Sequence, residues 1–150
     1  MAHWLVKTEP EVYSITDLKR DRVTFWDGVR NYQARNYLRS MTVGEQVLIY
    51  HSNAEPPAIV GLAKVAKLAY ADPTQFDKQS EYYDPKATPE SPRWFGPDLR
   101  FVRVFKNPLA LPVLREQKEL EGMVLLQRGS RLSVQPVTDE QLTRILELAA

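Results

Sequence analysis

The chain has 150 residues, 43% of them hydrophobic and 26% charged, which is enough to bury one core and ordinary for a globular domain. It has no cysteine, which excludes disulfides, thiol nucleophiles and thiolate metal sites, and its two histidines, His3 and His51, lack metal-ligand spacing. A formal net charge of +1 gives no overall field toward a polyanion, and no apolar run or signal pattern points to a membrane, so a cytoplasmic protein without metal or cofactor is expected.

In chain order, "HWLVK" (3–7) reads as a short strand. Ser14 with Asp17 three residues on has capping-box spacing and opens a short helix. "RVTFW" (22–26) is a second strand that ends at Asp27-Gly28. From about Asn31, the spacing of Ala34, Tyr37, Leu38 and Met41 predicts an amphipathic helix. Gly44 breaks the chain before the strand "EQVLIYH" (45–51), and "AIVGLAKVAKLAY" (58–70) is a long strand with its lysines outward.

Residues 71–93 carry four prolines and no period, a loop long enough to be functional or disordered. "WFGPDLRFVRVFK" (94–106) returns to strand, a helix near "LPVLREQKEL" and a strand "SRLSVQPV" follow, and Thr138 with Gln141 caps a last helix. Strands outnumber helices and lie mostly next to one another. The expected fold class is therefore α+β, a small mixed, curved sheet or open barrel with short flanking helices, in one domain over 1–150. Charge is uneven along it. Residues 19–39 are locally +4 and residues 72–98 locally −3. The basic stretch suits salt-sensitive phosphate contact and equally a solvated helix face.

The stretches "WLVKTEP", "WDGVRNYQARN", "YHSN", "IVGLAKV", "DPTQFD", "YYDP", "PRWF", "RFVR" and "RLSVQPVT" follow one another as they do in the EVE-domain family of the PUA-like superfamily. On them the chain is identified as a member from about His3 to Leu146. The resemblance implies a PUA-like mixed β pseudo-barrel with a pocket at one end. EVE domains resemble the YTH domains that read methylated adenine in RNA. The implied function is thus a nucleic-acid-binding reader of a modified base in DNA or RNA, with a modified cytosine foremost. One wall of the YTH cage is a Trp followed by a small polar residue at the end of the second strand, and Trp26-Asp27 stands there. Lys7-Thr8, with Glu9 next, stands where YTH domains turn a Lys-Ser toward the base. The loop that supplies the other YTH cage walls corresponds to 71–93, which offers Phe76, Tyr82 and Tyr83 but no Trp before Trp94.

A base out of its stack is held by aromatic faces and by hydrogen bonds to its polar edge. Stacking contributes on the order of 1–3 kcal/mol per base. Trp26 is expected as a stacking wall whose removal leaves the fold intact, with Asp27, Thr8 and Asn31 as edge readers. Gly28 permits a tight turn, while Asn31 either offers a helix start to a phosphate or only caps it. Arg35 and Arg39, four apart, share a helix face that with Arg30 extends a phosphate track. Ser52 and Asn53 either close a turn or enter the pocket, Tyr82 and Tyr83 either wall it or pin the loop, and Trp4 and Trp94 belong to the core. The alternative is an amidohydrolase of the ASCH type acting on a modified nucleoside, with Lys7, Thr8 and Glu9 as lysine, hydroxyl nucleophile and carboxylate. It requires the strand to end there, because adjacent strand residues face opposite ways.

Overall fold

The computed structural model describes all 150 residues. Its elements are β1 (His3–Thr8), α1 (Ile15–Asp21), β2 (Val23–Phe25), α2 (Tyr32–Ser40), β3 (Gln46–His51), β4 (Ala58–Ala71), β5 (Phe95–Ala110), α3 (Leu111–Arg115), β6 (Val134–Val137) and α4 (Asp139–Ala149). One six-stranded sheet runs β2-β5-β4-β3-β1-β6. Only β1 and β3 pair in parallel, and the edge strands β2 and β6 do not pair with each other, so the sheet stays an open barrel. The α+β class expected from the sequence is the observed one.

The caps act where the sequence puts them. Ser14 and Asp17 exchange hydrogen bonds at the start of α1, as do Thr138 and Gln141 at α4, and Asn31 Oδ1 accepts from the Ala34 N–H at α2. Arg22 is not in the second strand, because it closes α1 at φ 70°; β2 starts at Val23 and Trp26 lies beyond it. Trp26 still donates its backbone N–H to Pro97 O at 2.9 Å, which keeps it against β5.

The sheet separates two apolar layers. Trp4, Val6, Val47, Ile49 and Leu99 face α1 and α2, with Ile15, Leu18, Ala34 and Leu38 packed on them. Leu5, Leu48, Tyr50 and Ile59 face α4 and the 3₁₀ turns near Leu120 and Leu125. Period-2 alternation in β1 sends Trp4 and Val6 one way and Leu5 the other. Lys64 and Lys67 are three apart, an odd spacing that strict alternation would split between faces. A register shift between Val65 and Lys67 inserts one residue and leaves both lysines exposed.

Residues 71–93 are an ordered loop hung on buried polar groups. Gln75 is fully buried; its Nε2 donates to the carbonyls of Asp72 and Trp94, and its Oε1 accepts from the N–H groups of Arg93 and Trp94. Trp94 is buried as expected, and its Nε1 donates to Asp84 at 2.8 Å. One side chain thus satisfies four backbone groups. Gln75→Leu matches it in size but strands the Arg93 and Trp94 N–H groups, at about 1–3 kcal/mol for each that stays unpaired, while the Asp72 and Trp94 carbonyls keep backbone donors. The expected outcome is a loss of about 3 kcal/mol or more in urea unfolding, with early proteolysis between Asp77 and Arg93.

Candidate nucleic-acid interface

The Trp-Asp-Gly turn leaves β2 at the mouth of a cavity of about 910 Å³, within the range of ligand pockets. Lys7, Thr8, Glu9, Trp26, Asp27, Ser52 and Tyr82 all line it, so residues from separate stretches of the chain converge there. Gly28 has φ +78°, and a Cβ on it would sit 2.7 Å from the Tyr82 ring. Glycine is needed for both reasons: the left-handed turn and the aromatic ring packed upon it.

Asp72 joins this turn to the loop. Its side chain is 2% exposed; Oδ2 accepts from the Gly28 N–H at 2.9 Å and from Arg30 at 3.1 Å, while Oδ1 accepts from Thr74. Burial pushes the Asp72 carboxyl up, but the hydrogen bonds from Thr74, Gly28 and Arg30 outweigh it and hold its pKa below the usual carboxylate range. Arg30 also donates to the carbonyls of Tyr82 and Val29 and to Thr74 Oγ1, with the Tyr82 and Trp94 rings beside its guanidinium. The expectation that Arg30 holds a phosphate is therefore corrected. Its donors are taken up inside the fold.

Trp26 is 7% exposed and belongs to the core as well as to the cavity, with Tyr13 edge-on at 6.2 Å. The expectation that it can be removed without harm to the fold does not survive this burial, since truncating a buried Trp costs about 3–5 kcal/mol. Asp27 stands at the rim with its residue surface open. Partial desolvation of its carboxyl and the nearby Asp72 charge push its pKa up, with Glu81 adding to them and Arg30 opposing.

Thr8 lies on the Trp26 side of β1, and its hydroxyl donates to Tyr13 O at 2.8 Å. Lys7 pairs with Tyr50 across the parallel strands; its Nζ sits 5.9 Å from that ring, toward the other layer, and burial lowers its pKa. The lysine and the hydroxyl named for a hydrolase thus line one cavity but leave the strand on opposite faces.

Several expected residues lie elsewhere. Asn31 caps α2 and lines a second, smaller groove. Asn53 is exposed at φ 50°, and neither it nor Tyr83 lines the cavity. Arg35 donates to Arg93 O at 2.9 Å and lies 4.8 Å from the Tyr32 ring; Arg39 lies 4.3 Å from the Phe95 ring. Neither arginine lines a cavity, so the expected α2 phosphate track lies away from the Trp26 mouth. Conversely, Tyr13, Ser130, Arg131 and Ser133 line the mouth although no sequence pattern places them there. Asp72 had one legible signal: Asp before Pro at the start of a turn is a capping pattern, and it caps the 3₁₀ turn Pro73–Phe76.

A curved mixed sheet with a Trp-Asp-Gly turn over one cavity is the α+β architecture the EVE-domain resemblance implies, and the EVE-domain family profile matches residues 2–148. The chain belongs to the EVE-domain family. It is 43% identical over 166 aligned residues to human thymocyte nuclear protein 1, covering 98% of this chain and 73% of that one. Among solved structures, a Pseudomonas syringae protein is 51% identical with TM-score 0.96, covering 99% of this chain and 100% of that one. Human THYN1 in complex with 5-methylcytosine-containing DNA is 43% identical with TM-score 0.94, covering 99% of this chain and 98% of that one. An ASCH protein from Zymomonas mobilis, 10% identical at TM-score 0.55, shares the fold alone.

The Asp72 clasp carries a stability and a pH expectation. Asp72→Asn removes the ion pair and leaves Arg30 without its partner charge. The expected cost is about 2 kcal/mol at pH 7, below the roughly 3–5 kcal/mol of fully buried pairs because Arg30 is 22% exposed. A depressed folded pKa stabilises above the unfolded value, near 3.9, and that stabilisation disappears as pH falls through the folded value. Unfolding from pH 7 to pH 2 should therefore show the gap between parent and variant closing below about pH 4.

Proposed function

We propose that this chain is a DNA-binding module that takes one modified cytosine, of the 5-methylcytosine kind, into the cavity beside Trp26. The observation that carries the reading is the meeting of Thr8, Trp26, Asp27, Ser52 and Tyr82 on one cavity. The human relative solved with 5-methylcytosine DNA supports it, since it aligns over nearly all of both chains.

The base is unpaired from its duplex and enters edge first, as proteins that handle a whole base require. Trp26 and Tyr82 supply aromatic surface, and the polar edge meets Asp27. Cytosine presents an amino donor at N4 and an acceptor at N3. A neutral carboxyl satisfies both at once, its O–H donating to N3 while its carbonyl oxygen accepts from N4. An ionised carboxylate satisfies only the amino group. The raised Asp27 pKa lowers the cost of that neutral form. Burying the 5-methyl group gains about 0.8 kcal/mol, so apolar contact alone gives roughly a fourfold preference over plain cytosine.

A hydrolase needs Lys7, Thr8 and a carboxylate within reach of one atom. Thr8 already donates to Tyr13 O, and Lys7 lies toward Tyr50, so the geometry favours holding a base over cleaving it.

The test is a pH series with an oligonucleotide carrying one 5-methylcytosine. Because the proposed complex holds a proton on Asp27, affinity should rise as pH falls from 8 to 5.5 wherever the free carboxyl is ionised, by up to about tenfold per unit. Asp27→Asn, whose amide reproduces the donor and acceptor of the neutral acid, should bind within a few-fold of the parent and lose the pH dependence. Asp27→Ala should weaken binding by about tenfold, equivalent to roughly one or two hydrogen bonds. Flat parental binding from pH 8 to 5.5 would sink the protonated-edge reading; failure to prefer methylated over plain cytosine would sink the reader.

A further inference from the structure

The cavity beside Trp26 has charges of both signs around it. Glu9, Asp27 and Glu81 line it together with Lys7, Arg30 and Arg131, but Lys7 lies toward Tyr50 and Arg30 is committed to the Asp72 clasp, which leaves Arg131 as the uncommitted cation. A second opening continues from it past Ser130 and Arg131. Those two residues line the base cavity and also a groove of about 460 Å³, which runs between the start of α2 and the segment 124–132. No Asp or Glu lines that groove. Its walls carry Arg128, Arg131, Gln33, Gln127 and Ser130.

The two arginines differ from others near the site. Arg30 and Arg35 donate to carbonyls and side chains of the fold, and Arg93 pairs with Asp84. Arg128 and Arg131 are exposed and make no ion pair or side-chain hydrogen bond. Their segment is nevertheless held in place. Ser130 N–H donates to Gln127 O, closing a turn with Gly129 at φ +75°, and Ser133 O accepts from the Lys7 N–H of β1. Gln135 Nε2 ties down Leu132 O.

We propose that this groove seats the DNA backbone flanking the captured base, with Arg128 and Arg131 holding its phosphates. The inference rests on the reader function proposed above and assigns the path that the strand takes out of the pocket. Guanidinium groups with free forks bind phosphate oxygens bidentately, and Gln33, Gln127 and Ser130 add neutral donors along the same wall. The path replaces the α2 face of Arg35 and Arg39, which packs over Tyr32 and Phe95 instead.

The experiment is fluorescence anisotropy with a duplex carrying one 5-methylcytosine, titrated from about 50 to 300 mM salt, for the full chain, for Arg128→Ala, Arg131→Ala and their double variant, and for Arg35→Ala and Arg39→Ala. Neither arginine holds any part of the fold, so thermal melting should not change. Removing one phosphate-bound arginine should flatten the log–log salt slope by about 0.9 and weaken binding about fivefold at roughly 0.15 M salt. Lys106→Ala, exposed on β5 and lining neither cavity, is the charge control and should keep the parental slope. A double variant with the parental slope overturns the proposal, as does a flattened slope found only in Arg35→Ala and Arg39→Ala. The ratio of methylated to plain affinity in the parent is a separate readout. If the parent shows no preference while the slope still falls in the arginine variants, the groove stands and the base-reader function fails.

Discussion

The Asp72 carboxylate is the point at which the pocket is fastened together. It accepts from the Gly28 N–H of the Trp-Asp-Gly turn, from the Arg30 guanidinium four residues beyond Trp26, and from Thr74 in the loop. Chain segments more than forty residues apart meet on one pair of oxygens. Burying such a pair in itself gives little net stability, since desolvation offsets much of the attraction. What it gives is geometry. Gly28 can hold its left-handed turn, and Tyr82 can lie on it, because Arg30 grips the Tyr82 carbonyl from the same clasp. The charge that is uneven along the sequence, positive at 19–39 and negative at 72–98, is in part this internal complement.

Much of the scaffold was legible because it rests on local signals. Capping boxes, a Gly break and strand alternation work over three or four residues, so Ser14, Thr138 and the β1 faces follow from the sequence directly. Trp26, Asp27, Thr8 and Ser52 share a cavity whose outline came from a resemblance, not from any periodicity. The loop at 71–93 was illegible for a physical reason. Its order comes from Gln75 and Asp72 satisfying backbone groups of distant segments, and no window of the sequence records such pairings. Arg30 misled for the same reason: a basic residue beside a turn looks free until its partner forty-two residues on is placed. The place of Ser130 and Ser133 was equally hidden, because a short turn before β6 carries no pattern that places it at the Trp26 mouth.

Trp26 shows why a site residue need not be an optional one. The side chain closes the layer beneath α1 and α2 while one edge reaches the cavity. If Trp26 is the stacking wall proposed above, it is one held rigid by its neighbours, Tyr13 edge-on among them, and it would give up little entropy on meeting a base. On that proposal, affinity and stability are coupled at this position. Residues at the rim, where Asp27 and Thr8 meet solvent, separate the two.

The same carboxylate that fixes the turn also sets the chemistry at the rim. Asp72 stays ionised because the donors around it hold it so, and its charge is one of the causes that raise Asp27. The two acids therefore have opposite shifts from one arrangement: the inner one is lowered and structural, the outer one is raised at the rim. In the proposed reading, that division suits a cytosine edge, which needs a donor and an acceptor side by side. The two parts of one nucleotide are then assigned to two neighbouring surfaces, the base to the cavity that Asp27 lines and the backbone to the groove that Arg128 and Arg131 line.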